Sequence, residues 1–467
     1  MIKTILVIIL LLLIIRYQGI IYHYTISFPR LYYWLSQKNR KAILDEKVSD
    51  ILAIGNIDEY FDSFPKNKII PYYSPIFDNA LLLKKDIKNI FHQDNTSKEN
   101  SLPYLINMFT TPHSLLGTWL GDSIFRTDYN KRGENNRYKE VYMEALKQNN
   151  LEIYKKLINS HLSKYLDKPG EINFFDFCQD LNIDLTYLIH FGFLPNKEDY
   201  KGAIRFINAV KDHAIDYNSI HEQILNLPGF YQRTLNYIRN TNNETTMVGI
   251  WNKHGKLNKE SIFMEFIHNI LGMAINWTNL TYLYIINHSQ GIISNIPKDE
   301  EMKKAYIYEC FRFLLPVRFT GSHIKNPEKY NLPRDSNNIF IHDLKVYSQN
   351  PIYFGSNPEH FLPERMENHL KDTKSSKGKC PFSGFFETPN EAKVVCGMEL
   401  FEKEGYLPFG YGYRRCPGEH LSMILLEEIA NKMKNRKYKV YLDGETNPKR
   451  YIWGEVDKNL KLKIFQS

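Results

Sequence analysis

The sequence predicts a mainly α-helical fold with small β-sheets, built as one helix-rich domain. Residues 101–287 repeat apolar side chains at three- and four-residue spacing, the pattern of packed helices. After residue 307, short apolar segments alternate with Pro- and Asn-rich loops, which predicts short strands. No repeat or linker divides the chain after residue 46, so we expect residues 46–467 to form one domain.

Individual segments carry this prediction. Residues 150–166 have one apolar face, typical of an amphipathic helix. Residues 260–287 are apolar nearly all round, which predicts a helix of about 40 Å that crosses the centre of the domain. We predict strands at residues 338–344, 439–444 and 460–465.

Composition excludes several classes of protein. The net charge of +8 over 467 residues is modest and predicts a solvated basic surface, with no nucleic-acid partner. Five cysteines, an odd number, do not form a disulfide framework, although a Cys380–Cys396 pair stays open. Neither C-x-x-C nor H-E-x-x-H occurs, which argues against a zinc site of those types.

The N-terminus is strongly apolar from Ile5 to Ile15 and resumes after Arg16. We predict a single-pass membrane anchor at residues 1–24 and a linker at 25–45, provided that Arg16 reaches the interface. A cleaved signal peptide is the alternative, but no small-x-small cleavage site follows. Basic residues beyond the run favour a cytoplasmic catalytic domain, of endoplasmic-reticulum type in a eukaryote.

The segment LPFGYGYRRCPGEHL at residues 407–421 carries the strongest signal for chemistry. Gly410 and Gly412 allow backbone conformations closed to other residues and a close approach of a large flat ligand. Cys416 comes next, followed by Pro417 and an amphipathic segment that predicts a helix. A cysteine at a helix N-terminus is favoured as a thiolate, which is either a nucleophile or a soft metal ligand.

These residues resemble the signature F-x-x-G-x-R-x-C-x-G of the cytochrome P450 superfamily. Every fixed position matches, with Phe409, Gly412, Arg414, Cys416 and Gly418. The resemblance implies a buried heme b (iron protoporphyrin IX) with Cys416 as axial iron ligand and Arg414 near a propionate.

Two further motifs follow in the order that the resemblance requires. Glu309 and Arg312 form an E-x-x-R pair whose spacing places both side chains on one helix face. Arg365, in the segment FLPERM, matches the arginine that completes a Glu-Arg-Arg cluster in this family, although Met366 stands where phenylalanine is usual. Such a buried cluster must be fully paired.

The resemblance is weaker in the central helix, where the family usually carries an acid followed by threonine. If Thr278 is the alcohol, Trp277 occupies the position of the acid. If the register shifts by two residues, Asn276 occupies the position of the alcohol and Ile275 that of the acid. Neither register has an acid, so we expect Thr278 and Asn276 to work with water as the proton relay.

Two further residues are carried over as propionate partners. The resemblance suggests Arg137, although glycine stands where the accompanying tryptophan is usual. It also suggests His323, which follows the segment LLPVRFTGS.

The resemblance implies a monooxygenase that inserts one oxygen atom from O₂ into a small apolar substrate. No flavin or nicotinamide fingerprint occurs, so electrons must come from a separate NADPH-dependent reductase or ferredoxin. The basic residues at 432–439 either dock that partner or complement a helix end. Two alternatives stay open: a reductant-independent isomerase or dehydratase of hydroperoxides, and a non-catalytic heme protein.

Overall fold

The computed structural model describes residues 4, 6–11, 13–14, 62–72, 80–87, 96–97, 124, 132–212, 227–324, 326–332, 339–375, 405–410, 415–434, 436–442 and 460–465. Most of these residues are helical. In chain order the α-helices are α1 (Arg132–Ala145), α2 (Gln148–Leu166), α3 (Phe174–Phe191), α4 (Lys197–Asp212), α5 (Leu227–Asn240), α6 (Met247–His254), α7 (Lys259–Asn269), α8 (Asn276–Ser289), α9 (Glu300–Leu314), α10 (Lys345–Ser348), α11 (Pro351–Phe354), α12 (Glu364–Ser375) and α13 (Glu419–Lys434). The mainly helical prediction is therefore confirmed.

The predicted long helix forms the middle of the molecule. Helix α7 begins after Asn258, whose side chain accepts a hydrogen bond from the Ser261 N–H at 2.7 Å. It runs through a π-helical turn, Ile270–Ile275, directly into α8. We call residues 259–289 the central helix. Most of its residues are buried, and it packs against α3, which explains why its sequence is apolar nearly all round.

Two small sheets, one mixed and one antiparallel, flank the helices. The strands are β1 (Ile69–Tyr72), β2 (Ala80–Leu83), β3 (Thr96–Ser97), β4 (Gly170–Asn173), β5 (Phe319–Ile324), β6 (Ile339–Asp343), β7 (Tyr438–Leu442) and β8 (Leu460–Ile464). The five-stranded sheet has the order β1-β2-β6-β5-β3, and the three-stranded sheet has the order β4-β8-β7. Strands β6, β7 and β8 lie where the sequence predicts them.

Apolar burial divides into two clusters. The larger cluster joins α1 to α3, the central helix, α9 and α13. The smaller one lies between the five-stranded sheet and the chain before Cys416, where Leu407 packs with Phe340 and Leu315. The loop that carries the cysteine is thus held between the helical core and the sheet.

The predicted anchor receives no support from the structure. Large apolar side chains at residues 6–11 and 13 are 47–59% exposed. Among the residues that the structure describes, no helix is long and apolar enough to cross a bilayer. The rest of the predicted anchor and the whole linker, including residues 15–45, lie outside the described residues.

A buried charge cluster joins β6 to the rest of the five-stranded sheet. Asp343 is fully buried, and its carboxylate pairs with Lys84 at 2.9 Å and with Arg318 at 2.9 Å. Burial alone would raise the pKa of Asp343, but the hydrogen bonds and charges of Arg318 and Lys84 hold it below its ordinary value of 3.8. The carboxylate therefore stabilises the fold above that ordinary value, and this contribution is lost as the pH falls through the lowered pKa.

Replacing Asp343 with Asn should therefore lower the free energy of unfolding at neutral pH. The two buried cations, Lys84 and Arg318, then keep only the partly exposed Asp62 as counter-charge, and the loss of one partner of a comparable buried pair costs about 3–5 kcal/mol. The difference between the variant and the wild type should shrink below about pH 4, because the wild-type carboxyl then also becomes neutral. Urea unfolding at pH 7 and pH 3 measures both values; a difference that stays constant or grows on acidification contradicts this account.

Candidate active site

An ion-pair cluster with a fully buried centre lies beside the cysteine loop. On α9, the Arg312 Nε and Nη2 atoms donate to the Glu309 carboxylate at 2.8 and 2.7 Å, and both side chains are fully buried. The Arg365 Nε atom lies 3.1 Å from the same carboxylate. The structure thus brings together the three residues that the sequence predicts, two from α9 and one from the start of α12.

The remaining donors of this cluster bind backbone carbonyls. Arg312 Nη1 donates to the Ser348 and Pro358 carbonyls at 2.6 Å each. Arg365 Nη1 donates to the Phe354 carbonyl at 2.6 Å. Because each guanidinium finds several acceptors, the buried charges are compensated and fix the irregular chain between α10 and α12 against α9.

The cysteine loop begins as a tight turn. Gly410 has a φ of +75°, a conformation that favours glycine, and its N–H donates to the Leu407 carbonyl at 3.0 Å. The Cys416 N–H donates to the Phe409 carbonyl at 2.7 Å, which closes the loop on itself. The Phe409 ring packs 4.6 Å from the ring of Phe311 on α9. These contacts attach the loop to the helix that carries Glu309 and Arg312.

Cys416 lies shortly before the N-terminus of α13. Residues 421, 425, 429 and 433 form the buried face of this helix, as the sequence pattern predicts. The Cys416 residue is exposed, yet burial raises the pKa of its thiol to about 11. The residue is therefore exposed to solvent, although protein atoms around the thiol partly desolvate it.

The sequence predicts surroundings that favour a thiolate at Cys416, and the structure agrees only in part. Burial dominates the pKa of Cys416; the Gly418 N–H, Lys139 and Arg415 lower it, and Glu419 raises it. The expected stabilisation of a thiolate by the helix N-terminus is therefore present but smaller than the cost of burial. A soft metal ion bound to the sulfur would deprotonate it outright.

Behind Cys416 lies a buried ion pair that the sequence analysis missed. Arg415 Nε and Nη2 donate to the two carboxylate oxygens of Glu419 at 2.6 and 2.7 Å, and both side chains are 1% exposed. The signal was present as an i, i+4 pair of opposite charges. Such pairs are usually exposed, so the sequence alone does not reveal this one as buried.

Helix α1 carries two cations, of which Lys139 acts on Cys416. Lys139 is 4% exposed, and its charge acts on the Cys416 sulfur. The guanidinium of the half-buried Arg137 stacks over the Tyr138 ring at 5.5 Å, and its buried Nε has no hydrogen-bond partner among the described residues. A soft sulfur donor with buried cations nearby suits a flat, anionic metal-bearing group such as heme.

The two predicted relay residues, Thr278 and Asn276, lie in different surroundings on the central helix. The Thr278 hydroxyl lies 2.5 Å from the Ala274 carbonyl and 3.2 Å from the Cys178 carbonyl of α3, so its proton is directed to backbone acceptors. Asn276 is half-buried. Trp277 donates to the Ser422 hydroxyl of α13 at 2.9 Å, which ties the central helix to the cysteine helix. The catalytic roles of Thr278 and Asn276 stay predictions.

The π-helical turn lies directly upstream of these residues. Such turns often occur at functional sites because they shift the helix face. A Cβ atom added at Gly272, within the turn, would meet nothing within 4 Å. The central helix therefore has open space beside Gly272 at this turn.

A buried polar network connects α1, α3 and the central helix. The Tyr142 hydroxyl lies 2.6 Å from the Glu265 carboxylate and 3.1 Å from the Asn269 amide oxygen. Asn269 donates to His190 Nε2 at 3.0 Å, while His190 Nδ1 lies 2.7 Å from the Thr186 carbonyl. Burial lowers the pKa of His190 to about 4, so its ring is neutral at pH 7 and can accept from Asn269.

Several predicted residues lie outside this description. Gly412 and Arg414 lie outside the described residues, so their predicted roles at the heme are untested. His323 lies in β5, paired with Ser97 of β3, but its side chain is outside the described residues. The basic helix end is partly internal, because Lys432 lies 2.7 Å from the Ser163 hydroxyl and Arg436 pairs with Asp167.

Comparison with known proteins gives a curated relative. The sequence matches no protein-family model. The probable cytochrome P450 49a1 of Drosophila melanogaster is 30% identical over 161 residues. The match covers 34% of this chain and 23% of that relative, so it spans less than a quarter of the relative's length.

Solved structures share the fold over most of the chain. The cyanobacterial CYP120A1 with bound retinoic acid has a TM-score of 0.59 at 12% identity, over 83% of this chain and 89% of its own. A six-coordinated cytochrome P450 from Thermus thermophilus has a TM-score of 0.59 at 13% identity, over 90% and 99%. A variant of cytochrome P450 OleT with arachidonic acid has a TM-score of 0.58 at 13% identity, over 83% and 89%. The chain therefore has the cytochrome P450 fold, and the Cys416 loop and the Glu309–Arg312–Arg365 cluster lie within it.

Proposed function

We propose that this protein is a heme-thiolate monooxygenase that inserts one oxygen atom from O₂ into a small apolar substrate. The observation that carries the proposal is Cys416, which is exposed and held by its own loop against α9. The cofactor in this proposal is heme b, whose iron the Cys416 sulfur would bind. Bound heme would supply the activation of oxygen.

The chain's own residues would prepare the site in three ways. Buried apolar side chains of the central helix and α13 would help to exclude water from the heme. Arg137, and by resemblance Arg414 and His323, would bind the propionates. The Thr278 hydroxyl donates its proton to the Ala274 carbonyl, but its oxygen can still accept a hydrogen bond. Thr278 and Asn276 would therefore hold a water molecule, which would serve as the proton relay.

The substrate in this proposal is apolar. Residues 270–289 of the central helix contain neither lysine nor arginine, so this stretch offers no cation to hold a substrate carboxylate. The solved structures of CYP120A1 and OleT hold retinoic acid and arachidonic acid, both of which have long apolar bodies. An apolar substrate of similar size, such as a lipid or sterol, suits the apolar helix.

The partners in this proposal are a separate NADPH-dependent reductase or ferredoxin and a membrane. Lys437 and Lys439 are the basic residues near the end of α13 that remain for docking such a donor, since Lys432 and Arg436 bind α2. The membrane contact would be made by the segment 1–24, whose apolar side chains at residues 6–11 and 13 are exposed.

Dependence on a reductant tests the proposed activity. The purified full-length protein, loaded with heme and assayed against a panel of lipids and sterols, should form hydroxylated product with NADPH, reductase and O₂. Incorporation of one labelled atom from ¹⁸O₂ is the readout. Product formation from a lipid hydroperoxide without any reductant, and none with NADPH and reductase, would refute the monooxygenase.

A specific observation favours that second outcome as an alternative. Neither register of the central helix carries the acid that usually accompanies the relay alcohol, and Thr278 donates to backbone carbonyls. A hydroperoxide already contains the O–O bond, so its rearrangement or dehydration by bound heme needs no delivered electrons. A protein that binds heme but shows no spectral change with any lipid would instead be a non-catalytic heme protein.

A further inference from the structure

We propose that the buried Arg415–Glu419 pair is a positioning element that also sets the charge felt by the metal bound to Cys416. This inference rests on the proposed heme-thiolate function and extends it to two residues that the sequence motifs do not assign. Arg415 precedes the cysteine directly, and Glu419 is the first residue of α13. The pair therefore spans the cysteine and links the loop to the helix.

The Arg415 and Glu419 side chains hold each other in one fixed geometry. Two parallel hydrogen bonds of 2.6 and 2.7 Å join the guanidinium to the carboxylate, an arrangement that restricts both side chains. The i, i+4 spacing of residues 415 and 419 lets the loop residue reach the first turn of the helix. Loss of this ion pair would release Arg415, the residue before Cys416, from α13.

The surroundings of the pair are dry. Both residues are 1% exposed, and the equally buried side chains of Tyr308 and Tyr406 lie near Arg415. The Tyr406 hydroxyl donates to the Tyr308 carbonyl at 3.2 Å, one residue before Glu309. In such a low-dielectric setting, a single charge acts over a longer range than it does in water.

The two charges oppose each other at the sulfur. A carboxylate in the first turn of a helix stabilises that helix, but it also repels a thiolate at the same N-terminus. The Arg415 cation compensates this repulsion. The Arg415 Nη1 atom is buried and has no hydrogen-bond partner among the described residues, so part of its positive charge is not used by Glu419.

Replacement of Glu419 with Gln removes one charge and keeps the shape. Arginine does not lose its proton in proteins, so the variant retains a fixed positive charge beside Cys416. A nearby cation favours the one-electron reduction of ferric to ferrous heme. We expect the midpoint potential, measured by titration with dithionite, to shift to more positive values in Glu419→Gln.

Three further variants make the test specific. Glu427→Gln, on the same helix but paired with Lys155 and Lys303, should leave the potential unchanged. Arg415→Lys keeps the charge but loses the parallel hydrogen bonds, so it should lower the melting temperature without a positive shift in potential. The double variant Arg415→Met/Glu419→Leu removes both charges and should return the potential towards the wild-type value, even if Glu419→Gln folds poorly.

The outcomes separate this inference from the proposed function. A wild-type protein without a thiolate-type spectrum refutes the heme-thiolate function and, with it, this inference. A normal wild-type spectrum together with an unchanged or negative shift in Glu419→Gln refutes the role of the pair alone. A double variant that shifts as far as Glu419→Gln would likewise show that charge compensation is not the cause.

Discussion

Replacement of Glu309 with Gln is expected to lower the free energy of unfolding by about 3–5 kcal/mol, because two buried cations lose their counter-charge. Glu309 receives two hydrogen bonds from Arg312, one from the Leu362 N–H at 2.9 Å, and an ion pair with Arg365. A neutral amide cannot compensate both guanidinium groups. Since α9 also carries Phe311 against Phe409, we expect heme retention to fall together with stability.

The same helix offers a matched control. Glu300 pairs with Lys303 at 2.6 Å, but its side chain is 82% exposed. Exposed pairs contribute little because water already solvates both charges, so Glu300→Gln should unfold at nearly the wild-type urea concentration. Urea unfolding of both variants, followed by circular dichroism, makes the comparison; equal midpoints for Glu309→Gln and Glu300→Gln would contradict a buried, mutually dependent cluster.

Replacement of Cys416 with Ala should abolish turnover while the fold persists. Cys416 is exposed, and the hydrogen bond that closes the loop comes from its backbone N–H, which alanine keeps. We therefore expect wild-type helical content and a melting temperature within a few degrees, but no product above background under the assay of the proposed function.

Cys310 supplies the control for this variant. It is a free cysteine on α9, next to Glu309, and it is fully buried whereas Cys416 is exposed. Cys310→Ala should lose some stability from the missing buried sulfur and retain turnover per heme. Turnover by Cys416→Ala comparable to that of Cys310→Ala would show that the sulfur of Cys416 is not the essential ligand.

The parts of the fold that the sequence predicts are those with local signals. The alternation of apolar residues predicts β7 and β8, and the 3.6-residue period predicts α2 and α13. The E-x-x-R spacing predicts the Glu309–Arg312 pair because both residues lie on one helix face. These elements can be predicted without knowledge of contacts between distant residues.

The unpredicted parts depend on distant contacts. The network of Tyr142, Glu265, Asn269 and His190 joins residues separated by 79–127 positions, so no local spacing reveals it. The Arg415–Glu419 pair has a local spacing, but it is buried because Tyr406 and Tyr308 lie against it. The π-helical turn likewise interrupts a segment whose apolar pattern predicts a continuous α-helix.

The absorption spectrum of the reduced carbon monoxide complex tests the central claim most directly. The full-length protein is loaded with heme, reduced with dithionite and exposed to carbon monoxide, beside Cys416→Ala and Cys310→Ala. Thiolate ligation by Cys416 predicts a strongly red-shifted Soret band in the wild type and in Cys310→Ala, and its loss in Cys416→Ala. An unshifted band in the wild type, or a shifted band that survives in Cys416→Ala, would contradict a heme-thiolate centre at Cys416.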